Sequence, residues 1–261
     1  MTQFLRYKNI DLHFSDEGEG KPVVLLHGFL ENLTMWESLS DKLSNSNRVI
    51  AIDLLGHGQS GCLGYIHKME DMGDAVVAIL KTLNIEKATF IGHSMGGYVC
   101  LSIASRYHDL VCGLCLANST YAADSPERKL NRDRAIEAVK ANYSTFVRVS
   151  ISNLFRPKNR RIFANALNQV KEQALKTPVQ GIIAALEGMK LRKNHKKMFL
   201  DASYPKMVVI GMKDPVINAK KLKEELSNRK ISIVELPDGH MSHIENMKEF
   251  DYNIMHFIEN L

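Results

Sequence analysis

The sequence predicts a doubly wound α/β fold, with a mostly parallel eight-stranded sheet and a helical cap inserted between two of its strands. From residue 21 to residue 117, short apolar runs alternate with helical patterns, as they do in βαβ units. The alternation stops near Thr120 and resumes at Lys206, and the sequence between these points shows helical patterns without a convincing strand. A chain of 261 residues with 45% hydrophobic content can bury one large core.

Eight segments are predicted as strands. The first two resemble an antiparallel hairpin, and the next four are short apolar runs of the kind that form buried parallel strands. The last two follow the cap, where the α/β alternation returns. The predicted strands are residues 4–8, 11–15, 23–26, 48–53, 88–92, 111–117, 206–212 and 231–236.

The segments between the strands carry apolar residues at helical spacing. Thr34 and Glu37 have the spacing of a capping box, which predicts that a helix begins there. Another helix is predicted to begin at Ser94. The predicted helices are residues 34–43, 71–83, 94–107, 219–226 and 247–258 in the core, and 134–143, 160–175 and 181–189 in the cap.

The predicted core therefore comprises residues 1–120 and 201–261, and the predicted cap comprises residues 121–200. The cap holds 17 Lys and Arg against 6 Asp and Glu, a net charge of +11, while the rest of the chain is at −6. Such a segment can attract an anionic ligand, but Lys-rich helix faces are also common at protein surfaces. We expect no nucleic-acid partner, and a substrate that carries negative charge stays an open alternative.

The chain start lacks the basic and apolar segments of a signal peptide, and no stretch is long and apolar enough to span a bilayer. We therefore expect a cytoplasmic protein without a membrane span. Cys112 and Cys115 form a C-x-x-C pair inside a predicted buried strand, where they would point to opposite faces. Without a second ligand pair, we expect neither a metal nor a cofactor.

The strongest chemical signal is the sequence Gly92-His93-Ser94-Met95-Gly96, which lies between a predicted strand and a predicted helix. This G-x-S-x-G pattern in this setting is a nucleophile elbow, a tight turn that presents a serine at the carboxyl edge of a sheet. The amino end of the following helix favours a developing negative charge. Ser94 is therefore the candidate nucleophile.

A serine needs a base, and the base needs an acid to orient it. His240 follows the last predicted strand and is the candidate base, with His243 as its rival. Asp214 follows the strand before that and is the candidate acid. Asp124 is a weaker alternative, and Asn118 lacks the charge for this role.

Hydrolysis also requires hydrogen-bond donors for a tetrahedral oxyanion. The backbone amides of Phe29, after the first buried strand, and Met95, after the candidate nucleophile, fit this role. The glycine-rich stretch at residues 53–60 lacks the Gly-Lys-Ser/Thr ending of a phosphate loop and is interpreted as a structural turn.

Through His27-Gly28-Phe29, residues 53–60, residues 92–97, Asp214 and the segment from Gly239 to Asn246, nearly the whole chain resembles the α/β-hydrolases. That superfamily contains esterases, lipases and carbon-carbon hydrolases. The resemblance implies Ser94 as nucleophile, His240 as base, Asp214 as acid, and Phe29 with Met95 as oxyanion hole. It predicts a cofactor-free carboxylesterase that acts on a small-molecule ester. The alternative is a carbon-carbon bond hydrolase or lyase that uses the same residues on an anionic small molecule.

Overall fold

The computed structural model describes residues 2–227 and 229–261, and its centre is a single eight-stranded sheet. The strand order is β1-β2-β4-β3-β5-β6-β7-β8, in which β2 is antiparallel to β1 and β4 and the other pairs are parallel. The predicted mostly parallel sheet of eight strands is confirmed. The strands are β1 (Thr2–Tyr7), β2 (Ile10–Glu17), β3 (Lys21–Leu26), β4 (Asn47–Ile52), β5 (Ala88–His93), β6 (Val111–Ala117), β7 (Lys206–Gly211) and β8 (Ser232–Leu236).

Helices cover both faces of the sheet, which makes the fold doubly wound. The helices outside the segment between β6 and β7 are α1 (Glu37–Leu43), α2 (Met69–Thr82), α3 (Met95–Arg106), α10 (Ala219–Leu226), α11 (Ser242–Glu245) and α12 (Met247–Glu259). Alternate residues of β3 enter separate cores: Val24 and Leu26 pack with α2 and α3, whereas Val23 and Leu25 pack with α1 and α12.

The chain between β6 and β7 contains six helices, here called the insert. They are α4 (Pro126–Ala141), α5 (Tyr143–Leu154), α6 (Asn159–Ile162), α7 (Ala164–Ala174), α8 (Val179–Lys190) and α9 (Lys196–Asp201). Helix α8 lies close against the core, because a Cβ at Gly181 would be 2.1 Å from the Gly56 carbonyl oxygen. The exact division into core and cap stays a prediction, and residues 1 and 228 of the predicted core lie outside the described residues.

Several local predictions are wrong in detail. The capping box at Thr34 is not formed, because the Asn32 side chain accepts the Thr34 amide and caps a short 3₁₀ turn, Leu33–Trp36, ahead of α1. The predicted helix 160–175 is two helices that meet at Phe163. Helix α4 begins eight residues earlier than residue 134, at Pro126, where the Ser125 side chain accepts the Arg128 amide.

Within the part of the chain that the structure describes, no helix has the length and apolar character needed to cross a membrane. The four cysteines are unpaired, with Cys112 exposed on one face of β6 and Cys115 buried on the other. The carboxyl ends of β3 and β5 are adjacent at the point where the chain changes direction across the sheet, and such a point is where open α/β sheets bind ligands.

Candidate active site

Ser94 occupies the turn between β5 and α3 in a conformation that non-glycine residues seldom adopt. Its φ is 49° and its ψ is −112°, and it is half-buried among fully buried neighbours. The Ser94 amide donates to the Ala117 carbonyl, and the Ser94 carbonyl accepts from the Ser119 hydroxyl. These contacts to the end of β6 hold the strained turn, as is common at catalytic sites.

The glycines of the elbow are required by close backbone contacts. A Cβ at Gly96 would be 2.2 Å from the Leu26 carbonyl oxygen, and one at Gly92 would be 2.5 Å from the Gly96 carbonyl carbon. A Cβ at Gly97 would be 2.3 Å from the Ser119 hydroxyl oxygen. Helix α3 therefore lies directly against the ends of β3, β5 and β6, and its amino end begins beside Ser94.

Asp214 and His240 come together at the carboxyl ends of β7 and β8. The His240 Nδ1 atom is 2.7 Å from Asp214 Oδ2, and both side chains are almost fully buried. Asp214 Oδ2 also accepts the Asn118 side-chain amide, and Oδ1 accepts the backbone amides of Val216 and Ile217. Burial opposes ionisation of this carboxyl, but the interaction with the His240 imidazole and these hydrogen bonds outweigh it and lower the pKa of Asp214.

The two rival residues have other partners. His243 lies on α11, where its Nε2 is 3.5 Å from Glu31 Oε1, and burial lowers the pKa of His243 to about 4. Asp124 is enclosed by Arg128, Arg132 and Arg192 of the insert. Of the candidates for base and acid, the structure therefore brings together His240 and Asp214.

The loop after β3 carries Phe29 past the nucleophile. A Cβ at Gly28 would be 3.2 Å from the Ser94 Cβ, so this loop lies directly against the elbow. Among the described residues, the amides of Phe29 and Met95 have no hydrogen-bond acceptor. His27 anchors the loop: its Nε2 accepts the Leu54 amide, so its Nδ1 carries the proton that the Gly28 carbonyl accepts.

Three contributors to this site were not predicted from the sequence. Asn118 was considered as an acid, but its side chain donates to Asp214 and to the Gly239 carbonyl. Its position directly after β6, at the same edge as Asp214, was the available signal. Glu31 and His93 form a buried contact behind the elbow, and they are 62 residues apart in the sequence. No local pattern indicates that they pair.

The insert contacts the loop that carries His240. The His240 amide donates to the Leu154 carbonyl at the end of α5. Glu245 accepts the amides of Arg156 and Gly239 and the side chain of Asn159. The insert and the candidate base are thus held by one set of hydrogen bonds.

The chain is similar to known proteins over most of its length. It is 30% identical over 251 residues to the dihydrolipoyllysine-residue acetyltransferase component of an acetoin cleaving system from Pseudomonas putida, covering 92% of this chain but 64% of that protein. It is 26% identical over 237 residues to 3-oxoadipate enol-lactonase 1 of Acinetobacter baylyi, covering 87% and 84% of the two chains.

Among solved structures, a malate-bound thermophilic esterase from Thermogutta terrifontis matches with a TM-score of 0.92 and 28% identity. The match covers 100% of this chain and 98% of the esterase. A family model for the alpha/beta hydrolase fold matches residues 21–247. Because this span includes every strand from β3 to β8 and the whole insert, the chain belongs to the alpha/beta hydrolase fold family.

Proposed function

We propose that the protein hydrolyses carboxylic esters without a cofactor, through an acyl-enzyme on Ser94. The observation that carries the proposal is the buried 2.7 Å contact between His240 Nδ1 and Asp214 Oδ2, taken together with the strained elbow that holds Ser94. An ionised Asp214 that accepts from Nδ1 leaves Nε2 of His240 unprotonated, and this tautomer can accept the proton of a hydroxyl.

The reaction follows from these roles. Ser94 Oγ attacks the ester carbonyl carbon while its proton passes to His240 Nε2. The carbonyl oxygen becomes an oxyanion that accepts the amides of Phe29 and Met95. The C–O bond to the alcohol then breaks, and His240 gives its proton to the leaving oxygen. Water repeats the sequence on the acyl-enzyme and releases the acid, with Ser94 restored.

Two relatives have names that fit ester cleavage, because one is an esterase and the other is an enol-lactonase, and a lactone is a cyclic ester. A second candidate is cleavage of a carbon-carbon bond in an anionic small molecule by the same residues. The observation that favours it is a cavity of about 300 Å³ at Ile217 and Asn218, shortly after Asp214 in the chain, whose lining holds Arg128, Arg192, Lys196 and Lys221 against Glu225.

The test is turnover of aryl esters of increasing acyl length beside a dienone acid, with wild type and Ser94→Ala. We expect ester turnover in the wild type and a loss of several orders of magnitude in the variant, whose circular dichroism should be unchanged. His240→Ala should cause a similar loss, whereas His243→Ala keeps the Asp214–His240 pair and should lose far less. Near wild-type turnover by Ser94→Ala, or a larger loss at His243 than at His240, would contradict these roles.

A further inference from the structure

Behind the elbow, Glu31 and His93 form a buried pair that the reaction above does not use. Glu31 lies in the loop after β3 and is 5% exposed, and His93 is the last residue of β5 and is 1% exposed. The distance from His93 Nδ1 to Glu31 Oε2 is 2.7 Å. Burial of a charged carboxylate or imidazole is costly unless an opposite charge lies beside it, and here each group can supply that charge to the other.

The partners of His93 determine its protonation. Its Nε2 is 3.0 Å from the His240 carbonyl oxygen, which can only accept, so Nε2 carries a proton. Its Nδ1 faces a carboxylate. Burial disfavours ionisation of Glu31, but His93 outweighs it and lowers the pKa of Glu31 to about 2. Glu31 correspondingly raises the pKa of His93 against the effect of burial. Both nitrogens of His93 thus face acceptors, which is the arrangement of an imidazolium that donates from both nitrogens.

Glu31 also holds the loop that carries Phe29. Its Oε2 accepts the Gly28 amide at 2.8 Å, so one oxygen binds both His93 and the residue before Phe29. A Cβ at Gly28 would be 2.3 Å from Glu31 Oε2 and 2.8 Å from His93 Nδ1. The direction of the Phe29 amide thus depends on the position of the Glu31 carboxylate.

On its other side, His93 holds the backbone of the candidate base. The contact from His93 Nε2 to the His240 carbonyl joins the end of β5 to the loop after β8, 147 residues away. The side chain of His240 in turn reaches Asp214. A path of hydrogen bonds thus runs from Gly28 through Glu31 and His93 to the backbone of His240, and neither Glu31 nor His93 takes part in the reaction above.

We propose that Glu31 and His93 are positioning residues, an ion pair that fixes the oxyanion loop and the His240 loop relative to Ser94. The proposal rests on the ester-hydrolase function. The pair acts on the transition state, where the amide of Phe29 and the imidazole of His240 must both be aligned, and not on substrate binding.

Glu31, His93 and His243 together also have ligand atoms within 4.8 Å of one another, a spacing that suits a metal ion. The hydrogen bonds favour the ion pair, because both nitrogens of His93 are occupied by protons donated to acceptors. A metal ligand at either nitrogen would require loss of that proton.

The test uses Glu31→Gln, His93→Asn and the double variant, with steady-state kinetics on a neutral aryl ester. Glu31→Gln keeps the shape but removes the charge, and His93→Asn keeps a donor for Glu31 but is too short to reach the His240 carbonyl. We expect kcat to fall tenfold to a hundredfold in each single variant, with KM changed less than about twofold. The double variant should lose no more than the worse single variant, because the two residues act as one unit.

A matched control is His13→Asn. The His13 Nδ1 atom is also 2.7 Å from a buried carboxylate, that of Asp53, but this pair contacts neither Gly28 nor His240. It should lower thermal stability and leave kcat within twofold. Titration with a fluorophosphonate counts the sites that can react. A positioning defect lowers the rate of labelling but leaves its stoichiometry complete. Misfolding lowers the stoichiometry itself.

A measurement on the wild type is independent of any variant. Long-range ¹H–¹⁵N spectra at pH 7 should show both ring nitrogens of His93 protonated. An unprotonated nitrogen, additive losses in the double variant, or a kcat loss no larger than that of His13→Asn would overturn the proposal. So would activity that is removed by a chelator and restored by Zn²⁺. Wild-type protein without ester turnover would contradict the ester-hydrolase function itself, and with it this role.

Discussion

At the scale of single residues, the Asp214 carboxylate shows how much of the site depends on hydrogen bonds that the sequence hides. Asp214 was predicted from its place after the seventh strand, but its four donors come from Asn118, Val216, Ile217 and His240. They keep the carboxylate ionised and fixed in orientation despite burial. Chain order was sufficient to predict the carboxylate that pairs with His240, and the fold was needed to explain its charge.

Asp214→Asn should therefore reduce kcat on the order of 10³- to 10⁴-fold, because an amide in place of Oδ2 disfavours the tautomer of His240 that accepts the serine proton. Asp124→Asn should leave the rate almost unchanged and lower the melting temperature, since Arg128, Arg132 and Arg192 lose their shared counter-charge. Kinetics and thermal melts of the two variants check this ranking. The opposite order of kcat losses would assign the acid to Asp124.

The Glu31–His93 pair gives a pH dependence of stability whose sign can be worked out. The pKa of Glu31 is lowered from its ordinary 4.5 to about 2, so its contribution is complete above pH 4.5 and is lost as the pH falls toward 2. The pKa of His93 is raised above its ordinary 6.5, so its contribution is complete below pH 6.5 and is lost as the pH rises through the raised value.

The difference in unfolding free energy between wild type and Glu31→Gln should consequently be largest between about pH 4.5 and 6.5 and should shrink on both sides. His243, which faces Glu31, becomes charged below its pKa of about 4 and acts only on the acid side. Urea unfolding across this range measures the difference. A difference that is constant with pH would show that the two groups are not an ion pair.

At the scale of elements, strands were easier to predict than the helices of the insert. The bounds of every strand in the structure differ from the prediction by at most two residues, and β3, β4, β5 and β6 are the short apolar runs that the sequence shows. Helix α5 was missed because Thr145, Val147, Val149 and Ile151 are β-branched and favour strands locally. Helix α4 buries only Ile136 and Val139, so its polar surface shows almost no apolar periodicity. Tertiary packing, and not the local sequence pattern, therefore determines that both segments are helical.

The elbow is the element whose sequence pattern has the clearest steric cause. Gly96→Ala should destabilise the protein strongly and abolish activity, because the new Cβ would lie 2.2 Å from the Leu26 carbonyl oxygen, a backbone atom that cannot move alone. Gly73→Ala in α2 is the matched control. Its Cβ would lie 3.1 Å from the Ile103 Cγ1 atom, a side-chain contact that can adjust, and alanine favours the helix by about 1 kcal/mol. Similar melting temperatures for the two variants would refute this explanation of the motif.

At the scale of the whole molecule, the concentration of positive charge in the insert is partly balanced in the structure. Asp124 pairs with Arg128, Arg132 and Arg192, and Arg148 pairs with Glu172 at the exposed surface. One carboxylate among three guanidinium groups leaves an excess of positive charge. This excess positive charge lies near the candidate acid, because Arg128 also donates to the Val216 carbonyl, two residues from Asp214. The sequence predicted the excess, but only the fold shows which arginines lie near the site.

This excess should draw anionic substrates toward the site. For a carboxylate-bearing aryl ester, kcat/KM should fall severalfold as ionic strength rises from about 0.01 to 0.3 M, while that of a matched neutral ester stays nearly flat. Arg128→Gln should reduce the salt dependence of the anionic ester. Arg148→Gln should not, because Arg148 and Glu172 are both exposed and screened by solvent. Parallel salt dependences of the two esters in the wild type, or equal effects of the two variants, would exclude the insert as a source of charge selectivity. A steep dependence confined to the anionic ester, and removed by Arg128→Gln, would identify the class of substrate that the insert selects.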